Sequence, residues 1–184
     1  MDNGASSYHR FLNGDESGFD EIIHLYRENL IFFINRYVGN YYTAEDLAED
    51  AFLELLLHPK RYDFKRSLKT YLFTIARNKA VDYIRHNKRL IQFSADPKET
   101  GAFSSVEDKY LINEKHRELH KALNSLKADY KTAIHLVFFE DMSNEEAAAV
   151  MRKNKKQVEN LLYRAKLSLR TILEKEKGYN HEGF

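Results

Sequence analysis

A chain of 184 residues, 43% hydrophobic and 13% aromatic, has the material for one ordinary domain or two small ones, and its 31% of charged residues asks for the large surface that two small helical domains supply. The absence of cysteine excludes a disulfide scaffold, a thiolate zinc site and cysteine catalysis. The formal charge of +1 excludes a uniformly polyanion-binding surface, yet it conceals alternating acidic and basic blocks; such blocks can bind polyanions locally, although charge runs alone read first as solvated helix faces.

No apolar run approaches the ~20 residues of a membrane span, so no direct membrane insertion is expected. The opening MDNGASSYHR lacks the apolar stretch of a secretory signal, and a cytoplasmic location is the expectation. Phe19, Ile22, Ile23, Tyr26, Leu30, Phe33 and Tyr37 then recur at three- and four-residue spacing, one face of a helix about five turns long. Gly39-Asn40 is its stop signal, and Tyr26, Phe33 and Tyr37 are assigned to the core. Thr43 and Asp46 stand at capping-box spacing, which predicts a second helix from Ala44 to just before Pro59. From Tyr41 to Pro59 there are five acids (Glu45, Asp46, Glu49, Asp50, Glu54) and no Lys or Arg. These acids lack the glycine and alternate spacing of a calcium loop, so a partner-facing acidic surface is preferred to a cation site.

Residues 60–66 read as a loop, Lys60-Arg61-Tyr62-Asp63-Phe64-Lys65-Arg66. Cations mixed with aromatics suit stacking on an unpaired base with phosphates held nearby. The same composition suits a solvated loop with both rings folded into the core. A third helix follows over Ser67–Arg89, and from Lys60 to Arg89 there are ten Lys/Arg against two acids. At about 100° per residue, Leu68, Leu72, Phe73, Ile75, Ala76, Ala80, Tyr83 and Ile84 occupy one side. Arg77, Arg85, Lys88 and Arg89 occupy the other, where Thr70, Thr74 and Asn78 also fall, a mixture suited to a phosphate backbone.

The stretch from Ile91 to about Val106 is rich in Ser, Asp, Pro and Gly and reads as a linker. Three further periodic segments follow, near 107–125, 128–140 and 144–151, with a capping box at Ser143 and Glu146. A last helix spans about 155–175, with Val158, Leu161, Leu162, Ala165, Leu169, Ile172 and Leu173 on its apolar stripe. Lys156, Gln157, Asn160, Tyr163 and Arg164 stand on its far side. A short helix, the turn Arg152-Lys153-Asn154 and a longer helix with polar first turns make the layout of a helix-turn-helix. His116 and His120 are four apart on a helix, but Glu118 lies on the opposite side, so no metal is expected there. Nothing assembles a nucleophile with a base and an oxyanion donor; no enzyme, cofactor or metal is expected. The reading is all-α: two small helical domains, 8–91 and 107–176, joined by a linker at 92–106.

Four stretches together carry a family resemblance. SLKTYLFTIARNKAVDYIRHNKR (Ser67–Arg89) resembles the promoter-melting part of region 2 in bacterial RNA polymerase sigma factors, above all the extracytoplasmic-function group. AEDLAEDAFLELL (Ala44–Leu56) resembles that family's polymerase-binding helix, and Asn13-Gly14-Asp15 matches the start of region 2. MSNEEAAAVMRKNKKQVENLLYRAKLSLR (Met142–Arg170) resembles the region 4 helix-turn-helix.

The resemblance implies a factor that directs RNA polymerase core to promoters and helps melt the −10 element. Glu45, Asp46, Glu49 and Asp50 would then meet the core enzyme, at the clamp helices of its largest subunit; the flap is the other core contact it implies. Tyr62, Phe64, Lys65, Arg66, Arg77, Asn78, Arg85, Lys88 and Arg89 would hold the −10 element, with Tyr62 or Phe64 at the pocket for a flipped base. Lys155, Lys156, Gln157, Asn160, Tyr163 and Arg164 would face the −35 element. Promoter DNA is thus an implied partner, and an anti-sigma factor a further candidate. The alternative is a stand-alone helix-turn-helix regulator of duplex DNA, which leaves Ala44–Arg89 unexplained. Three positions depart from the family pattern. Tyr71 replaces a usual Trp, Glu159 stands where Lys or Arg is frequent, and the turn has no glycine, which leaves Asn154 to take a left-handed conformation.

Overall fold

The computed structural model describes residues 3–93 and 114–179, and the chain divides into two compact units, Met1–Phe103 and Ser104–Phe184. Every regular element among the described residues is helical.

The first unit begins with a helix that the periodicity did not announce, α1 (Asn3–Leu12). Its signal is weak because only Tyr8, Phe11 and Leu12 are large and apolar, and tertiary contact holds it. α2 (Ser17–Val38) buries Ile22, Tyr26, Leu30, Ile31, Phe33 and Ile34. Gly18 permits the crossing: a Cβ there would lie 2.3 Å from the Ser7 carbonyl oxygen, so only glycine lets α1 approach this closely. Gly39 ends α2 in the left-handed conformation, φ 68°, its N–H donating to the Asn35 carbonyl at 2.8 Å.

α3 (Tyr41–Leu57) starts three residues earlier than the Thr43 capping box predicts. Asn40 is the cap, accepting from the Thr43 N–H at 2.9 Å, and the Asn side chain does the task assigned to Thr43. A short 3-10 turn at Pro59–Arg61 leads to α4 (Leu68–Phe93), where Ser67 Oγ caps the Thr70 N–H at 3.2 Å. α2 packs on α1, α3 and α4, and α3 on α4. Phe33 sits at the centre, its ring 5.1 Å from Phe73 and 5.4 Å from Tyr37.

The second unit contains α5 (Glu114–Ser125), α6 (Ala128–Ile134), α7 (Asn144–Met151) and α8 (Lys155–Tyr179). The single helix expected over 128–140 widens at His135–Phe139 into a π turn, closed by the Glu140 N–H on the His135 carbonyl at 3.0 Å. Buried His135 and Glu140 meet there at 3.2 Å. The Ser143–Glu146 capping box forms as expected, with Glu146 Oε2 accepting the Ser143 N–H at 3.0 Å and Ser143 Oγ accepting the Glu146 N–H at 3.2 Å. α8 packs on α5, α6 and α7 through Val158, Leu162 and Ala165. Residues 94–106 of the expected linker and 107–113 of the expected helix lie outside the described residues, as do the side chains of His116, Glu118 and His120. Residues 92 and 93, assigned to the linker, continue α4.

Candidate functional site

Two surfaces of the first unit and one of the second carry the residues singled out above. α3 presents its acids unequally. Glu45 pairs with Arg27 of α2 at 2.5 Å, and this hydrogen bond raises the Arg27 pKa. It therefore ties two helices together instead of facing outward. Asp46, Glu49 and Asp50 are exposed, and with Phe19, Ile23, Phe52, Leu53 and Leu56 they line a groove of about 590 Å³ between α2 and α3. Leu53 and Leu56 of this lining are exposed large apolar residues, as is Leu57 of the same helix. An apolar floor with an acidic rim suits a basic amphipathic helix.

The loop at 62–66 separates its two rings. Tyr62 is only 5% exposed; its hydroxyl donates to the Arg66 carbonyl at 2.7 Å, and its ring lies 5.7 Å from Tyr8 and 5.2 Å from Tyr71. Burial raises the Tyr71 hydroxyl pKa. Phe64 is 43% exposed and adopts φ 58°, the left-handed region that non-glycine residues rarely occupy. Of the two rings read as a base platform, Phe64 is presented to solvent and Tyr62 supports it from below. Lys65 and Arg66 are exposed beside them.

On α4, Arg85, Lys88 and Arg89 are exposed and Arg77 and Asn78 half-buried. Two cations of the basic block are committed within the fold. Lys79 lies 3.4 Å from Glu54 and 4.0 Å from Asp50, and Arg61 lies 3.1 Å from Glu54. Thr70, placed by helical periodicity on the cationic side, is 1% exposed and hydrogen-bonded to Ser67 at 2.7 Å. It belongs to the capped start of the helix, so the first turn does not share the cationic face.

In the second unit, α7, the turn and α8 make a helix-turn-helix. The left-handed residue is Arg152, φ 54°, and not Asn154. Its N–H donates to Ala149 and the next N–H to Ala148, at 3.3 and 2.9 Å, which closes α7 without glycine. Asn154 instead caps α8 reciprocally with Gln157: Asn154 Oδ1 accepts the Gln157 N–H at 2.8 Å, and Gln157 Oε1 accepts the Asn154 N–H at 2.9 Å. The Gln157 side-chain oxygen is thus spent on the cap, which leaves its amide N–H groups for another partner. Lys155 pairs with Glu145 of α7 at 2.6 Å, and this hydrogen bond lowers the Glu145 pKa. Lys156, Asn160, Tyr163 and Arg164 are exposed, Tyr163 at 72%. Glu159 shares their exposed surface. Among the described residues no three His, Cys, Asp or Glu side chains gather as metal ligands, and no helix is long and apolar enough to cross a membrane.

Comparison with known proteins puts these surfaces in a frame. Residues 22–90 match Sigma-70 region 2 and residues 116–169 match Sigma-70, region 4. RNA polymerase sigma factor SigV of Bacillus subtilis (strain 168) is 34% identical over 142 residues, 76% of this chain and 81% of that protein. This chain belongs to the sigma-70 family of RNA polymerase sigma factors. ECF RNA polymerase sigma factor SigM of the same organism is 26% identical over 163 residues, 89% of this chain and 98% of that protein. The sigma factor RpoE of Bartonella quintana, solved in complex with the anti-sigma factor NepR, has a TM-score of 0.66 at 25% identity, covering 85% of this chain and 96% of that one. The sigma factor thus carries both family regions in order, and the reading as a stand-alone duplex-binding regulator, which leaves the first of them without a role, gives way. α1 and the last ten residues of α8 lie outside both matched segments.

Proposed function

We propose that this sigma factor docks on RNA polymerase core through the α2–α3 groove, with Asp46, Glu49 and Asp50 facing the clamp helices of the largest subunit. Glu45 supports the groove through Arg27. The observation that carries the reading is the separation of one acidic, apolar-floored groove from one basic helix within a single small unit. The first face suits a protein and the second a nucleic acid.

The non-template strand of the −10 element lies along Lys65, Arg66, Arg77, Asn78, Arg85, Lys88 and Arg89. An unpaired base stacks on Phe64, which Tyr62 backs. Melting needs no covalent step: a surface that holds the single strand better than the duplex shifts the equilibrium by that difference in affinity. In the second unit, Lys156, Gln157, Asn160 and Tyr163 face base edges of the −35 element, and Lys155 and Arg164 its phosphates. The polymerase flap is the second unit's contact on the core. An anti-sigma factor is a further partner, the solved relative RpoE having been captured with one. The chain has no enzymatic activity of its own and acts in the cytoplasm, with the polymerase.

The test is transcription of sheared genomic DNA from the host by core enzyme with and without the chain, with 5′ ends mapped. New start sites sharing two upstream elements at fixed spacing support the assignment. No new start sites from a holoenzyme that has formed would overturn it.

A further inference from the structure

Helix α1 precedes both family-matched segments, yet it is built into the platform of the 62–66 loop. Tyr8 is fully buried, and its hydroxyl donates to the Leu55 carbonyl at 2.9 Å; burial pushes its pKa up to about 12. Its ring lies 5.7 Å from Tyr62 and 6.2 Å from Phe64, and Tyr62 and Phe64 are 4.6 Å apart. The inner side of Phe64 is therefore packed by two tyrosines from two elements, and this packing sustains a backbone conformation, φ 58°, that Phe rarely adopts.

The next residue of α1 is exposed. The His9 ring stands 6.1 Å from Phe64 at an interplanar angle of 73°. Two nearly perpendicular rings make a corner, one as floor and one as wall. The Asn13 side-chain nitrogen lies 3.1 Å from His9 Nδ1 and 2.8 Å from the His9 carbonyl oxygen. The Asn13 carboxamide NH₂ faces both the His9 carbonyl and Nδ1, and with Nδ1 accepting from it, Nε2 is the donor of the ring. The wall of the corner thus includes an N–H donor.

We infer that His9 of α1 is a specificity-determining residue of the −10 platform: it walls the corner in which an unpaired base stacks on Phe64, and it donates from Nε2 to an acceptor on that base's edge. The inference rests on the sigma-factor reading of the loop. A stacked base meets Phe64 through its face, which every base offers, so the floor alone discriminates little. A directed donor beside it selects bases with an acceptor at that edge.

The experiment uses holoenzyme assembled from the full chain and core polymerase, with a pool of labelled single-stranded DNA random over twelve positions, and the retained strands are sequenced. Wild type retains strands enriched for one base class at one position. His9→Ala flattens that preference and weakens binding about threefold, while Phe64→Ala weakens binding about tenfold at all sequences. His9→Phe keeps the wall without the donor, so it recovers affinity but not preference. Both His9 variants keep wild-type melting temperature and core co-elution, because His9 is exposed. An unchanged base profile in His9→Ala, beside a weakened Phe64→Ala, overturns the role of His9 and leaves the platform standing. No strand retained by wild-type holoenzyme overturns the platform and the role of His9 together.

Discussion

Changing Arg85, Lys88 and Arg89 together to Gln removes three exposed cations from one end of α4. Removing one cation from a phosphate lowers the slope of log affinity against log salt by ~0.7 on a single strand, so the triple change should lower it by about 2. Arg85 lies 3.6 Å from Asp82, but both side chains are 72% exposed, so that pair competes weakly with a phosphate. Lys79 is the internal control on the same helix. Its side chain is 24% exposed and faces Glu54 and Asp50 at 3.4 and 4.0 Å, so its charge is already committed to α3. Lys79→Gln should leave the salt slope unchanged and lower the stability of the first unit by about 0.5–1 kcal/mol. Fluorescence anisotropy of a labelled single strand over a potassium chloride series gives the slopes, and urea unfolding gives the stability. If Lys79→Gln lowers the slope by as much as any one of the three, the division of the basic block into structural and strand-facing cations is wrong.

Three further outcomes follow from local geometry. Gly18→Ala places a methyl 2.3 Å from the Ser7 carbonyl oxygen and 2.9 Å from the Phe11 nitrogen, so α1 must shift. Urea unfolding should show destabilisation by about 1–3 kcal/mol, and an unchanged midpoint would mean that α1 does not sit on α2 as described. Arg152→Gly relieves a left-handed residue at φ 54° while loosening the unfolded chain; the net gain of about 0.5 kcal/mol should raise the melting temperature of the second unit by about 2–4 °C, and a fall would contradict the strain assignment. Glu21 is held below the usual carboxylate range by hydrogen bonds from Ser7 and then Arg10, and Asp15 by Ser17 and then Arg10. A lowered pKa in the fold stabilises above the unfolded value near ~4 and loses that stability as pH falls through the folded value. The first unit should therefore lose stability with falling pH below ~4, less steeply in Glu21→Gln, as urea midpoints at stepped pH will show; a steeper loss in the variant would refute the assignment.

The long helices were legible because their apolar spacing is regular and their ends carry clear signals, as at Gly39 and Ser143. What sequence hid was the competition for side chains across elements. α1 has too few apolar residues to announce itself, and its burial depends on Gly4 and Gly18, which carry no hydrophobic signal. Glu45, Arg61 and Lys79 read as surface charge, but each finds an opposite charge on a neighbouring helix, which no one-dimensional pattern reports. Thr70 fell on the cationic side by helical angle, yet it is buried at the first turn of α4 and bonded to Ser67. Tyr62 and Phe64 are two residues apart and similar in chemistry; the left-handed backbone at Phe64 sends one inward and one outward. At the helix-turn-helix, the expectation of a left-handed Asn154 followed residue preference. The capping bonds of Asn154 with Gln157 used that side chain instead, and the turn fell to Arg152.

Co-elution of the purified chain with core RNA polymerase free of other sigma factors bears most directly on the account. Asp46 and Glu49 are both exposed on the groove rim, so Asp46→Lys with Glu49→Lys inverts the docking face without breaking the Arg27–Glu45 pair. Docking through the α2–α3 groove predicts a stable complex for wild type and none for the double variant at unchanged melting temperature. A folded wild-type chain that fails to bind core enzyme from its own host, or a double variant that binds as well as wild type, would contradict it.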